Sequence, residues 1–170
     1  MPTRRQAFTL IELVVVISIL AILSGVLVPR VTSHLKSARD ARRLADLKAV
    51  RSAIERYRLE RGVYPPANAN TLNGGWDVSN DGDFIPVLAQ EGYLEEDALD
   101  PLNDTTFHYR YYVYARSSYG CLGTQDFYVL GIRNFESGDF AAKNKGFFSC
   151  AGRNWNEEFA YVTGGGVDQP

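Results

Sequence analysis

Cysteine and histidine are scarce in this chain, and their scarcity limits the chemistry that it can perform. The 170 residues include two cysteines and two histidines, so a zinc site built from cysteine alone is excluded. His34 lies in a helical pattern and His108 in a candidate strand, and no motif places either one beside a nucleophile. We therefore predict no catalytic residues and no enzymatic activity.

Net charge is also low, yet the charged residues are unevenly distributed along the chain. The 18 basic and 20 acidic side chains leave a formal charge of −2. Residues 30–61 hold ten basic and four acidic side chains, a net of +6, whereas the residues from Gly62 onward hold six and fifteen, a net of −9. Because the basic residues are interleaved with acids around a helix, the pattern does not favour binding of a specific nucleic acid.

One long segment lacks charge almost completely. Phe8 to Val28 is a run of 21 residues in which Glu12 is the sole charged side chain. As an α-helix the run is about 32 Å long, enough to cross a hydrocarbon core of about 30 Å. Arg4 and Arg5 precede it, which predicts a cytoplasmic N-terminus and a head on the other side of the membrane. A cleaved secretory signal is disfavoured, because the run is long and lacks paired small residues at a cleavage position.

The far end of this run predicts a weak point in the helix. Gly25 and Pro29 lie there, and a proline removes a backbone donor and clashes with the preceding turn. We expect the helix to weaken or kink between Ser24 and Pro29. A membrane helix tolerates such a break when water or neighbouring helices satisfy the freed carbonyls.

Beyond Pro29 the pattern becomes amphipathic. Apolar residues recur at spacings of three and four, which is typical of an α-helix. They are Val31, Leu35, Ala38, Ala41, Ala45, Leu47, Val50, Ile54 and Tyr57. Gly62 is predicted to end the helix, so one nearly continuous helix is expected from Phe8 to about Arg61.

The rest of the chain predicts a small β-rich head. Residues 65–83 are rich in Asn, Gly, Asp and Pro and are predicted to form a loop, and residues 83–92 a short helix or turn. Aromatic and β-branched residues mark three candidate strands: 107–115, 126–132 and 158–163. Gly164 to Gly166 are predicted to form a flexible end. The predicted fold is α+β, a long N-terminal helix, transmembrane in its first half and amphipathic in its second, packed on a small antiparallel β-sheet.

Several motifs occur together along the chain. A basic leader is followed by F-T-L-I-E-L at Phe8 to Leu13, an unbroken apolar helix, Pro29, and G-V-Y-P at Gly62 to Pro65. G-Y-L at residues 92–94 and D-P at residues 100–101 come later. Together they resemble the type IV pilin superfamily, which includes type IV pilins and the pseudopilins of type II secretion. The resemblance is strong over residues 4–30, fair to about residue 66 and diffuse through the head.

The resemblance implies that the N-terminus is processed. A prepilin peptidase would cut between Ala7 and Phe8, and the new amine of Phe8 would be N-methylated. The family usually has glycine before the cut, where this chain has Ala7, another small residue. The implied organisation is a cleaved leader (1–7), a transmembrane and assembly helix (8–29), an amphipathic stem (30–61) and a globular head of loops and β-sheet (62–170).

The resemblance also implies a role for Glu12 in assembly. A carboxylate in hydrocarbon costs about 2.5–3.5 kcal/mol on insertion scales, and leaving a charge unpaired at low dielectric is costly. After cleavage, the Phe8 amine of a neighbouring subunit can neutralise Glu12 and so favour one register of assembly. The +6 stem and the −9 head also predict complementary contacts between neighbouring subunits.

The partners and location follow from the same resemblance. The implied partners are other copies in a homopolymeric filament, the prepilin peptidase, the inner-membrane assembly platform with its ATPase, and membrane lipid. The implied location is the cytoplasmic (inner) membrane, with the head outside, followed by an extracellular or periplasmic filament.

An acidic loop in the head is a candidate calcium site. Asp77, Ser79, Asp81 and Asp83 place oxygen ligands at alternate positions, as in the first half of a calcium loop. An EF-hand is excluded, because Leu88 stands where a bidentate carboxylate is needed. Calcium binding and a solvated turn both remain open, and no other cofactor is predicted.

Cys121 and Cys150 are candidate partners in a disulfide. In an oxidising compartment the bridge would stabilise the head by a few kcal/mol and fasten the C-terminal segment, as such bridges often do in pilins. In the cytoplasm both would remain buried thiols.

The sequence therefore favours a structural subunit of a filament. It leaves open whether that filament is a type IV pilus or a pseudopilus of type II secretion. The alternative is a membrane-anchored extracellular binding module that never polymerises, which predicts an uncleaved N-terminus and a dispensable Glu12. A secreted enzyme would require loss of the apolar run and a catalytic set that the sequence does not contain.

Overall fold

The fold begins with one long helix. A computed structural model of the protein describes residues 9–68 and 74–167, without the side chains of residues 26–29. Helix α1 runs from Leu10 to Arg61, and it ends where predicted. Gly62 takes a left-handed φ of 76° and donates its N–H to the carbonyl oxygen of Arg58 at 2.8 Å, which is a glycine terminus.

The chain divides into two compact units, Met1–Lys36 and Ser37–Pro170. In the first unit, the described apolar side chains of α1 are exposed, from Leu10 at 80% to Leu23 at 51%. This stretch is long and apolar enough to cross a membrane, by length and composition. α1 is one uninterrupted helix through Gly25 and Pro29. The weakening or kink of the helix expected between Ser24 and Pro29 stays a prediction.

The second unit is built on a four-stranded antiparallel sheet in the order β1-β2-β3-β6. Its strands are β1 (Asp77–Val78), β2 (Tyr109–Tyr114), β3 (Phe127–Ile132) and β6 (Tyr161–Gly165). A separate hairpin pairs β4 (Ser149–Cys150) with β5 (Arg153–Asn154). Two short helices complete the unit, α2 (Pro86–Gln90) and α3 (Gly138–Lys143). The predicted α+β fold is confirmed, with all three predicted strands and the short helix after residue 83 in place.

β3 is buried on both faces because two apolar clusters sandwich the sheet. Tyr128, Leu130 and Ile132 face the cluster that includes Leu47 and Ile54 of α1. Their neighbours in β3 alternate to the opposite face. There Phe127 and Val129 pack with Trp76, Phe148, Trp155 and Phe159.

Two predictions about the head were incomplete or wrong. The Asn- and Gly-rich loop contains β1 and a turn of 3₁₀ helix at Ser79–Asp81. Gly164 lies in β6 rather than in a flexible end, because it pairs with Val129 of β3. A Cβ there would lie 2.4 Å from both the Phe148 ring and the Tyr128 carbonyl oxygen. The apolar stripe of α1 is buried from Leu47 onward, whereas Val31 and Leu35 are 53% and 52% exposed.

Candidate assembly site

The first turn of α1 closes a hydrogen-bonded box around Glu12. The Thr9 N–H donates to Glu12 Oε2 at 2.9 Å, and the Thr9 hydroxyl donates to the same oxygen at 2.7 Å. The Glu12 N–H in turn donates to the Thr9 hydroxyl oxygen at 3.3 Å. This is a capping box, with threonine before the helix and glutamate three residues later. The motif T-L-I-E is visible in the sequence, and the box gives Glu12 an intramolecular partner that sequence analysis had missed.

The box leaves part of the carboxylate unused. Both Thr9 donors contact Oε2, and no donor to Glu12 Oε1 is found among residues 9–68 and 74–167. Apolar side chains surround the carboxylate along the helix, with Ile11 and Leu13 69% and 58% exposed. Glu12 is therefore an isolated anionic group on an otherwise apolar, uncovered surface. The predicted processing residues Ala7 and Phe8 lie outside the described residues.

A second site, inside the head, fastens α1 to two loops through buried ions. Arg39, Asp40, Arg43, Asp100 and Glu136 form what we call the Arg43 cluster. Asp40 and Arg43 are completely buried and Asp100 is 4% exposed. Buried charges are tolerated when they are paired and hydrogen-bonded.

The guanidinium of Arg43 donates to three carboxylates. Its Nε and Nη2 donate to the two oxygens of Asp100 at 2.7 and 3.0 Å. Its Nη1 donates to Asp40 Oδ1 at 2.7 Å and to Glu136 Oε1 at 2.8 Å. Arg39 adds a bidentate pair with Glu136, and these bonds, outweighing burial, lower the pKa of Glu136 to about 2. The Arg43 cluster thus joins α1 to the loops at residues 100 and 136.

The Arg43 cluster was not predicted, although the sequence contains a signal for it. Asp40, Arg43, Leu47, Val50 and Ile54 follow one another at helical spacings, and all five are buried. The two charged residues therefore extend the buried face of α1 towards its N-terminus. A cation and an anion on the line of an apolar stripe indicate a buried ion pair, but their partners at residues 100 and 136 cannot be read from local spacing.

Asp77 of the candidate calcium loop has a structural role. The side chain is buried, and its Oδ2 accepts the N–H groups of Asn68 at 2.6 Å and Ile85 at 3.2 Å. Its Oδ1 has no hydrogen-bond partner in the described part of the chain. Burial raises the pKa of Asp77 to about 7. The carboxylate fastens the two ends of the loop that surrounds it.

The other candidate calcium ligands also contact the protein. The Ser79 hydroxyl donates to Asn103 Oδ1 at 2.8 Å, and Asp83 Oδ1 accepts from the Asn68 side-chain amide at 2.8 Å. Asp81 ends the 3₁₀ turn. Within residues 9–68 and 74–167, no three His, Cys, Asp or Glu side chains are arranged to hold a metal ion. Calcium binding at Asp77, Ser79, Asp81 and Asp83 stays a prediction.

Cys121 and Cys150 form a disulfide, with their Cα atoms 4.9 Å apart. The bridge joins the chain before β3 to strand β4, against the cluster that contains Trp155. Among the described residues, the β4–β5 hairpin forms a two-stranded sheet of its own. The disulfide therefore adds a covalent cross-link between this hairpin and the chain before β3.

Known proteins resemble this chain over most of its length. Residues 2–28 match the prokaryotic N-terminal methylation motif. Type II secretion system core protein G of Aeromonas hydrophila is 38% identical over 140 residues, which cover 78% of this chain and 87% of that protein. The protein of the same name from Pseudomonas aeruginosa is 30% identical, covering 81% and 92%, and that from Escherichia coli K12 is 29% identical, covering 72% and 88%. No solved structure matches the chain significantly.

These findings decide between the two kinds of filament protein that the sequence left open. The long helix on an antiparallel sheet confirms the predicted pilin-like fold, and the methylation motif confirms the predicted type of N-terminus. The matches cover more than the helix and therefore reach into the head, where the motifs of the superfamily were diffuse. The chain belongs to the family of type II secretion system core protein G, the major pseudopilins, which are structural proteins and not enzymes.

Proposed function

We propose that this protein is the repeating subunit of a type II secretion pseudopilus, assembled through the Thr9–Glu12 end of α1. The observation that carries the proposal is the single carboxylate on an uncovered apolar helix, in a chain of the core protein G family. The subunit waits in the inner membrane with its head on the periplasmic side. Prepilin peptidase frees the Phe8 amine, and the assembly platform with its ATPase extracts the subunit into the filament.

The apolar helix needs non-aqueous neighbours before and after assembly. Leu10, Ile11 and Leu13 are at least 58% exposed, and water is an unfavourable environment for such a surface. Lipid surrounds the helix in the membrane, and the helices of other copies surround it in the filament. Since lipid tails are as apolar as leucine, this exchange contributes little to the preference for one register. A polar contact is needed to set the register.

Glu12 provides that contact through the oxygen that the capping box leaves unused. Thr9 occupies Oε2, so the Phe8 amine of an adjacent copy can approach Oε1 without opening the box. Charge-assisted hydrogen bonds are about twice as strong as neutral ones, and the surroundings of low dielectric strengthen the attraction. Subunits shifted along the filament into this pairing are therefore favoured over other registers.

The test is the variant Glu12→Gln in the native host. Glutamine retains an oxygen for the two Thr9 donors but lacks the charge that attracts the amine. We expect the variant to insert into the membrane and to give at least tenfold less sheared polymer, a loss of about 1.4 kcal/mol or more per contact. Thr9→Val is the matched control: it removes the hydroxyl donor of the capping box but keeps the charge, and we expect it to lose less polymer than Glu12→Gln.

Intact-mass measurement of the extracted protein tests the processing step. Loss of Met1 to Ala7 together with the gain of one methyl group is the expected result.

Normal polymer from Glu12→Gln would refute the role of Glu12. A full-length chain that forms no polymer in the wild type would favour the anchored binding module instead.

A further inference from the structure

A groove of about 160 Å³ opens on the surface of the head between α1 and the chain that follows α2. The less exposed apolar residues that line it, Val50, Leu94 and Ala98, are what we call its floor. Four carboxylates also line the groove: Asp46, Glu95, Glu96 and Asp97. We call this surface the acidic groove.

The acidic groove has an excess of negative charge. Arg42 is its one basic lining residue, and it lies 3.6 Å from Asp46. Asp46 also accepts a hydrogen bond from the Tyr109 hydroxyl at 3.1 Å. Glu95 and Glu96 are exposed, and within residues 9–68 and 74–167 neither forms an ion pair or hydrogen bond. The groove therefore combines an apolar floor with two free carboxylates.

The turn of α1 between residues 30 and 36 carries positive charge and could complement the negatively charged acidic groove. Val31 and Leu35 lie one helical turn apart on the same face and are 53% and 52% exposed. Arg30 and Lys36 lie on either side of that face, exposed and without an ion pair among the described residues. The turn thus offers two aliphatic side chains flanked by two cations.

We propose that the acidic groove of one subunit receives the 30–36 turn of α1 from a second copy. Val31 and Leu35 would cover the apolar floor, while Arg30 and Lys36 pair with Glu95 and Glu96. The inference rests on the proposed function, because the contact exists in a filament of identical chains. The 30–36 turn belongs to the same helix as the Thr9–Glu12 end, so each copy that enters the filament through that helix also brings this turn to its neighbours.

Another exposed cationic segment provides the competing occupant. Lys143 and Lys145 are exposed and precede Phe147 by four and two residues in the sequence, and Phe147 is 67% exposed. Neither lysine forms an ion pair in the part of the chain that the structure describes. This segment is in the head and is not continuous with the assembly helix. Its lysines therefore serve as the matched control.

Carbodiimide cross-linking of wild-type filaments tests the contact directly. The reagent joins a carboxylate to a lysine amine, and filaments mixed from light and heavy-isotope subunits distinguish links between copies from links within one. We expect Lys36 of one copy to be joined to Glu95 or Glu96 of another. Filaments that form but join those carboxylates to Lys143 or Lys145, or give no Lys36 link, would overturn the proposal. Absence of wild-type filaments would instead refute the proposed function.

Charge reversal provides the quantitative arm. Glu95→Lys with Glu96→Lys replaces two attractive ion pairs by two repulsive ones. Each exposed ion pair contributes only a small part of the free energy of association. We expect about tenfold less sheared polymer, equivalent to about 1.4 kcal/mol in subunit addition, with an unchanged melting temperature of the head. Adding Arg30→Glu and Lys36→Glu should restore the yield to within about threefold of the wild type. Restoration by Lys143→Glu with Lys145→Glu would contradict the assignment.

Discussion

Replacing Arg43 by methionine tests whether the Arg43 cluster holds the head to α1. Methionine fills much of the volume of arginine but donates no hydrogen bonds, so it removes four bonds to Asp40, Asp100 and Glu136. The carboxylates remain buried. Asp100 keeps the backbone N–H of Leu102 at 2.9 Å as its best remaining donor, and Asp40 keeps two backbone donors in the 136 loop.

The expected cost follows from this arrangement. Removing one partner from a buried ion pair typically costs about 3–5 kcal/mol, because a charge is left uncompensated. The remaining backbone donors, and the pairing of Glu136 with Arg39, place Arg43→Met at the lower end, about 3 kcal/mol. For a domain of this size about 1 kcal/mol shifts the melting temperature by about 3 °C. We expect Arg43→Met to melt about 10 °C below the wild type.

Thermal unfolding of the full chain in detergent, followed by near-ultraviolet circular dichroism, measures this difference. The tyrosines and tryptophans of the head report on its packing. Arg42→Met is the control: the Arg42 side chain is 64% exposed, and its contact with Asp46 is 3.6 Å. An exposed pair of that kind contributes at most about 1 kcal/mol. If Arg43→Met and Arg42→Met melted at the same temperature, the reasoning about the buried cluster would be wrong.

Two further predictions concern the head. Reducing the Cys121–Cys150 bridge, which closes a loop with a sequence separation of 29, should lower stability by about 3.5 kcal/mol in the chain-entropy model; a reductant should lower the melting temperature of the wild type but not of Cys121→Ser with Cys150→Ser. Because burial raises the pKa of Asp77 to about 7, its contribution to stability is full below about pH 4 and is lost as pH rises through 7. The wild type should therefore lose more of its melting temperature between pH 5 and pH 8 than Asp77→Asn does. Burial lowers the pKa of His108, which acts in the opposite direction but equally in both proteins, and equal changes in melting temperature would contradict the prediction. Glu136 does not interfere, because its lowered pKa of about 2 confines its effect to more acidic solutions.

The elements that the sequence predicted well are those whose signals are local. Helix α1 follows from spacings of three and four and from Gly62 at its end. Strands β2 and β3 follow from dense aromatic and β-branched residues between turns. The processing motif is also local, since its residues are consecutive. Such patterns need no knowledge of what the segment packs against.

The features that the sequence did not predict depend on distant partners. Two-residue strands such as β1 and β4 carry almost no periodic signal, and their pairing with other segments creates them. A glycine run such as Gly164–Gly166 reads the same in a flexible end as in a strand, and the pairing of Gly164 with Val129 of β3 decides between the two. By sequence, Arg43 is one of ten basic residues on the stem. Its burial depends on hydrogen bonds to partners such as Asp100, which lies 57 residues away in the chain.

Glu12 shows how a local motif and a distant partner share one residue. Each hydrogen bond to a charged group contributes about 1.5–3 kcal/mol, so the two bonds that Thr9 donates to Oε2 roughly offset an insertion cost of about 2.5–3.5 kcal/mol. The isolated subunit can therefore hold the carboxylate in the membrane without a second chain. Whatever attraction an incoming amine adds at Oε1 is then available to select the register. On this reasoning Thr9→Val should impair membrane retention of the free subunit more than the order of the finished filament. Glu12→Gln should impair the order of the filament more than membrane retention.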